Sequence, residues 1–135
     1  MSIDYGEKRI GIAISDPMQI YAKPLLTIKN ISMKHIFSQI NEIIFTNSIE
    51  KVIVGLPLNL EGNDTKKTIE VRNFFNKLTK SISVKSVLFD ERYSTVDAND
   101  YLKEKGLSIK ESRKVIDQIA AAVILRNYLE LGNKD

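Results

Sequence analysis

The sequence predicts an α/β domain built on a mixed sheet. Two short runs, Lys51–Leu56 and residues 84–89, are β-branched and almost unbroken in apolar character, as strands buried on both faces are. Helical periodicity fills the segments between and after them. Three strand-like runs precede both, which gives the order β-β-β-α-β-α-β-α-α.

The first run, Ile3-Asp4-Tyr5, is short, and Gly6-Glu7-Lys8-Arg9 follows as a turn. Ile10, Ile12 and Ile14 then alternate with small residues, which predicts a strand packed closely on one face. Asp16-Pro17 ends it, because proline restricts the residue before it. A third strand is expected over residues 20–28, and Pro24 assigns it to a sheet edge.

Ser32 is the expected cap of a helix over residues 33–47, with Ile36, Ile40, Ile43 and Ile44 on its buried face. After the strand at Lys51–Leu56, residues 57–63 read as a loop. Asp64 is the expected cap of a second helix, with Val71, Phe74, Phe75 and Leu78 inward. The strand at 84–89 ends at Asp90-Glu91-Arg92. A short helix over 95–105 stops at Gly106, and a last helix over 109–131 ends at Gly132. Ala120-Ala121-Ala122 in that helix allows close approach to a sheet.

At 135 residues the chain is expected to form one domain, residues 1–135. Its 43% apolar and 27% charged content argues against a disordered, collagen-like or membrane-spanning chain. The first residues show no basic region followed by an apolar run, so no signal peptide is expected and the reading is cytoplasmic. The absence of cysteine excludes disulfides and thiolate metal sites. His35 is the only histidine and reads as a surface or boundary residue. Any chemistry must therefore come from carboxylates, hydroxyls, lysines or arginines. The net charge of +3 permits a polyanionic partner without demanding one.

Three acids stand where α/β folds place their sites, at the carboxyl ends of strands: Asp4, Glu91 and, in the last helix, Asp117. Carboxylates meeting in a partly buried cleft repel unless a proton or cation neutralises them. Oxygen-only ligands suit Mg²⁺ or Mn²⁺, and such ions serve phosphodiester hydrolysis without histidine or cysteine. On spacing alone each acid also has an ordinary reading. Asp4 can bond its own turn, Asp90 and Glu91 can cap a helix or pair with Arg92, and Asp117 can pair with Arg113. Lys8 and Arg9 suit either phosphate contact or a solvated turn. The basic stretch Lys103, Lys105, Lys110, Arg113 and Lys114 suits either a nucleic-acid path or a solvated face, and Ser94 and Thr95 either caps or phosphate contacts.

Four segments together resemble the YqgF family of Holliday junction resolvase-like nucleases of the small-subunit ribosomal RNA precursor. They are residues 4–17, Val54-Gly55-Leu56-Pro57-Leu58-Asn59 with Gly62, Asp90-Glu91-Arg92-Tyr93-Ser94-Thr95, and Val115-Ile116-Asp117-Gln118-Ile119-Ala120-Ala121. The resemblance implies a ribonuclease H-like fold, a five-stranded mixed sheet with its second strand antiparallel to the rest. It also implies a metal-dependent phosphodiester hydrolase with Asp4, Glu91 and Asp117 as the acidic set. Lys8, Arg9, Arg92 and Arg113 would then position the nucleic-acid backbone. Ribosomal RNA precursor is the favoured substrate and branched DNA the second. A non-catalytic RNA-binding module is the rival from another class. No apolar stripe predicts a strong dimer, so a monomer or weak homodimer is expected. Two departures stand out: only Met1, Ser2 and Ile3 precede Asp4, which predicts a short first strand and a looser Asp4, and Ser94 stands where threonine is frequent.

Overall fold

The structure, a computed structural model, describes residues 1–93, 97–112 and 115–131. Five strands form one sheet: β1 (Ser2–Asp4), β2 (Arg9–Ser15), β3 (Ala22–Lys29), β4 (Lys51–Leu56) and β5 (Lys85–Asp90). Their order is β3-β2-β1-β4-β5. β2 is antiparallel to β1 and β3, while β1, β4 and β5 run parallel. The expected mixed sheet is thus observed, and Pro24 lies on an edge strand as its missing N–H requires.

Side-chain alternation divides the molecule. On one face Ile3, Ile10, Ile12, Val52, Val54 and Leu56 pack against α1 (Met33–Thr46) and α2 (Lys66–Ser81). The other face carries small residues, Ser2, Gly11, Ala13 and Gly55, and receives α5 (Ile116–Glu130). That is the close packing expected from the small positions of β2 and from the alanine run. Ala121 and Ala122 are fully buried, and the Ser2 hydroxyl donates to the Ala121 carbonyl at 2.6 Å. β1 is only three residues long, as expected; it is paired on both sides, and Asp4 stands opposite Gly11 of β2.

Several element boundaries depart from expectation. Ser32 caps α1 as expected, accepting from the His35 N–H. Thr65, not Asp64, caps α2: its hydroxyl forms a reciprocal capping box with Thr68, and Asp64 instead takes a bidentate bond from Arg72. The third helix, α3 (Ala98–Lys105), starts later than expected because Asp97 caps it by accepting from the Asp100 N–H. It ends at Gly106 in the left-handed conformation (φ 69°). The expected single last helix is two, α4 (Ile109–Ser112) and α5, the latter restarting after Val115. Tertiary contact sets that restart: the first turn of α5 lies on Gly11, and Gln118 donates to the Thr27 hydroxyl of β3. Ser94, Thr95, Arg113, Lys114 and Gly132 lie outside the described residues.

Candidate active site

The parallel strands β1, β4 and β5 end together, and their carboxyl ends carry the acids. Asp4 is the last residue of β1. Asp90 closes β5 opposite Leu56, and Glu91 opens the short 3₁₀ turn Glu91–Tyr93 that follows. Ile3 pairs with Val54, so the next residue of β4, Gly55, lies beside Asp4. Gly55 leaves room for the Glu91 carboxylate: a methyl there would stand 3.1 Å from Glu91 Oε2 and 2.5 Å from Ile124 Cδ1. Across β1, Asp4 pairs with Gly11, on which the Asp117 backbone rests. The two glycines beside Asp4 thus admit Glu91 from one side and Asp117 from the other.

The electrostatics follow from that geometry. Burial pushes the Asp4 carboxyl up to about 6; the Lys67 charge opposes this and the Asp117 charge adds to it. Burial likewise pushes Glu91 up to about 7, with Asp4 adding, Lys67 opposing and Asp90 adding. Two desolvated carboxyls therefore feel each other and share one lysine. Lys67 escaped the sequence reading, because a lysine in the first turn of a helix reads as an ordinary solvated charge. It is held near the acids by its neighbour Thr68, whose hydroxyl donates to the Pro57 carbonyl just beyond β4.

The remaining expected residues divide. Arg9 donates from Nε to Asp117 Oδ2 at 3.0 Å, so this acid pairs with a cation distant in sequence. The alternative partner, Arg113, lies outside the described residues. Lys8 is exposed in the turn before β2. Arg92 is clamped by Asp90 through Nε and Nη2, at 3.1 and 2.7 Å, and this pairing holds the Asp90 carboxyl well below the usual range. The same guanidinium covers Gly62, whose φ of 85° favours glycine. Asp90 therefore organises Arg92 and the 57–63 loop, as its pairing reading held. Lys105 is not brought to the acids; it lies over the rings of Tyr21 and Tyr101. Tyr101 bonds to Ala22, at the opposite end of β3 from Lys29.

Asp4 and Glu91 are hard oxygen donors in a desolvated pair, which fits a divalent cation completed by water and phosphate oxygens. Among the described residues no group of three or more Asp, Glu or His side chains is gathered tightly enough to cage a metal. The Asp117 carboxylate bonds to Arg9, and its charge still reaches Asp4. A groove of about 720 Å³ lies elsewhere, lined by Met1, Ile14, Asp16, Ile49, Lys51 and Leu129 at the opposite end of the sheet. Lying at the opposite end of the sheet from Asp4 and Glu91, it is a poor candidate for the chemistry. Among the described residues no helix is long and apolar enough to cross a membrane.

A family model described as RuvX, Holliday junction resolvase, matches residues 1–131. A protein of Maridesulfovibrio salexigens is 42% identical over 129 residues, covering 96% of either chain. One from Fusobacterium nucleatum subsp. nucleatum is 41% identical, covering 97% of this chain and 96% of its own. One from Endomicrobium trichonymphae is 40% identical, covering 100% and 97%. All three carry the name "Putative pre-16S rRNA nuclease". In fold the chain resembles Thermus thermophilus RuvC, a resolvase of ribonuclease H-like fold, solved with a Holliday junction substrate (TM-score 0.63, 14% identity, 96% and 93% covered).

Proposed function

Since the chain belongs to the RuvX family of Holliday junction resolvases, we propose that it is a divalent-metal-dependent nuclease that cuts the precursor of 16S ribosomal RNA. The observation that carries this reading is the desolvated pair Asp4 and Glu91 at the carboxyl ends of the parallel strands β1 and β5, with Gly55 of β4 between them and Lys67 shared. The whole chain, residues 1–135, would act as one ribonuclease H-like domain, in the cytoplasm where such precursors are made. The names of its relatives point to the RNA substrate; the family description favours branched DNA as the second.

Asp4 and Glu91 would hold Mg²⁺ or Mn²⁺, with Asp117 joining when released from Arg9. A bound divalent cation would polarise the phosphoryl oxygens and stabilise charge on the leaving oxygen. The chain's own residues do the rest. Asp4 and Glu91 shed the protons that burial favours as they take up positive charge. Lys67 holds their negative charge tolerable before substrate arrives. Glycines 11 and 55 let the flanking elements approach without a side chain between them. Lys8, Arg9, Arg92 and Arg113 would contact backbone phosphates, giving salt-sensitive binding with little reading of bases.

The test is to incubate the purified protein with 16S rRNA precursor and with a four-way DNA junction, each with and without Mg²⁺ or Mn²⁺. Asp4→Asn, Glu91→Gln and Asp117→Asn run beside it. Metal-dependent cutting lost in all three supports the reading, and the substrate cut decides between RNA and DNA. Binding without cutting by the unaltered protein would favour the non-catalytic module.

A further inference from the structure

Arg9 and Lys29 stand directly opposite each other on β2 and β3. Both side chains are exposed. Strand alternation puts them on the α5 face, in line with Gly11 and Thr27, which pair two residues further along. Like charges directly opposite in an antiparallel ladder are destabilising. Asp117 relieves only one of them, by its bond to Arg9. Lys29 has no ion-pair partner among the described residues. Lys8 adds a third exposed cation, and its carbonyl accepts from the Asn30 N–H at 3.0 Å, which ties the turn to the end of β3. Glu7, the acid of that turn, is exposed.

The placement is informative. Asp4 pairs with Gly11, and Arg9 lies two residues further out, beyond the carboxyl end of β1. With a rise of about 3.4 Å per residue and about 4.8 Å between strands, the Lys29 backbone stands roughly 12 Å from that of Asp4. One strand of a duplex advances about 3.4 Å of axis per phosphate, so that gap corresponds to a few nucleotides. The ridge is also firmly set: Gln118 on α5 bonds to Thr27, and Arg9 bonds to Asp117 on the same helix.

We propose that Lys29, with Arg9 opposite it, anchors the nucleic-acid backbone a few nucleotides away from the cut phosphate. The proposal rests on the nuclease reading above and gives that site a direction, from the carboxylates across β2 to the β3 edge. The ligand is phosphodiester backbone, so the anchor contributes affinity and salt dependence and not sequence choice.

The experiment measures affinity for a DNA four-way junction and for duplex RNA in EDTA, so that no cutting intervenes, over a range of salt. The unaltered protein is compared with Lys29→Gln, Lys29→Arg and Lys80→Gln. Lys80 lies in the last turn of α2, at the far end of the sheet, and controls for net charge. Lys29→Gln should lower the slope of log affinity against log salt by about 0.9 for duplex DNA. Lys29→Arg and Lys80→Gln should leave it unchanged. An unaltered slope in Lys29→Gln, or an equal fall in Lys80→Gln, overturns the anchor alone and leaves the nuclease reading standing. Failure of the unaltered protein to bind either probe, both in EDTA and with Ca²⁺ in its place, overturns both.

Discussion

The carbonyl oxygen of Asp117 occupies the place where a side chain on Gly11 would begin: a methyl there would lie 1.8 Å from that oxygen. Gly11 is the cross-strand partner of Asp4, so one absent side chain lets a helix deliver an acid beside another acid. Gly11→Ala must push backbone against backbone and should cost about 3 kcal/mol or more. Gly55→Ala meets the flexible end of Ile124 at 2.5 Å, and should cost less. Chemical denaturation of the two variants should rank them in that order, and metal-dependent cutting should fall further in Gly11→Ala.

The buried carboxyls make the metal-free protein less stable as pH rises. Asp4 binds its proton more tightly folded, at about 6, than its ordinary value of 3.8, and Glu91 does so at about 7 against 4.5. Their protonated forms therefore favour the fold below pH 4, and that contribution is lost as pH rises through 6 to 7. Asp4→Asn should raise stability at pH 8 by about 2–3 kcal/mol and change it little at pH 4. Thermal melts in EDTA at the two pH values check this; equal effects at both would contradict it.

Metal uptake should show the opposite dependence. Protons and a divalent cation compete for Asp4 and Glu91, so affinity for Mn²⁺ should increase from pH 5.5 to 8. Isothermal titration in buffers of different ionisation enthalpy should record proton release on binding. Chelation should abolish cutting, and added Mg²⁺ or Mn²⁺ should restore it.

Lys67 lowers the proton affinity of both carboxyls, so Lys67→Met should move the acid limb of the pH–rate profile to higher pH. Lys67→Arg keeps the charge and should keep the limb in place. A purely structural role would reduce the rate at every pH without moving the limb.

Much of the fold was legible because burial leaves local signatures. The isoleucine alternation of β2 opposite Gly11 and Ala13, the apolar run of β4, and the spacing of Ile36, Ile40 and Ile43 each report which faces are covered. The restart of the chain at Ile116 was not legible, because contacts with Gly11 and Thr27 impose it, not the local sequence. At the site, Asp4 and Glu91 stood out by their places at strand ends, and Asp117 by its place in the last helix just before the alanine run. Their partners did not: Arg9 and Asp117 are 108 residues apart, whereas spacing offered only the nearby Arg113. Lys67 was hidden for the same reason, its relation to Asp4 existing only in the folded molecule.

The outer rim of the sheet has a consequence for how copies of the chain meet. β3 is an open edge, the kind of surface on which a neighbouring molecule could add a strand. Pro24 offers it no N–H, the register slips by a bulge between Ile12 and Ala13, and Lys23 and Lys29 place charge along it. The same lysine that suits a phosphate thus also sets charge on the edge where cross-molecular strand pairing would begin.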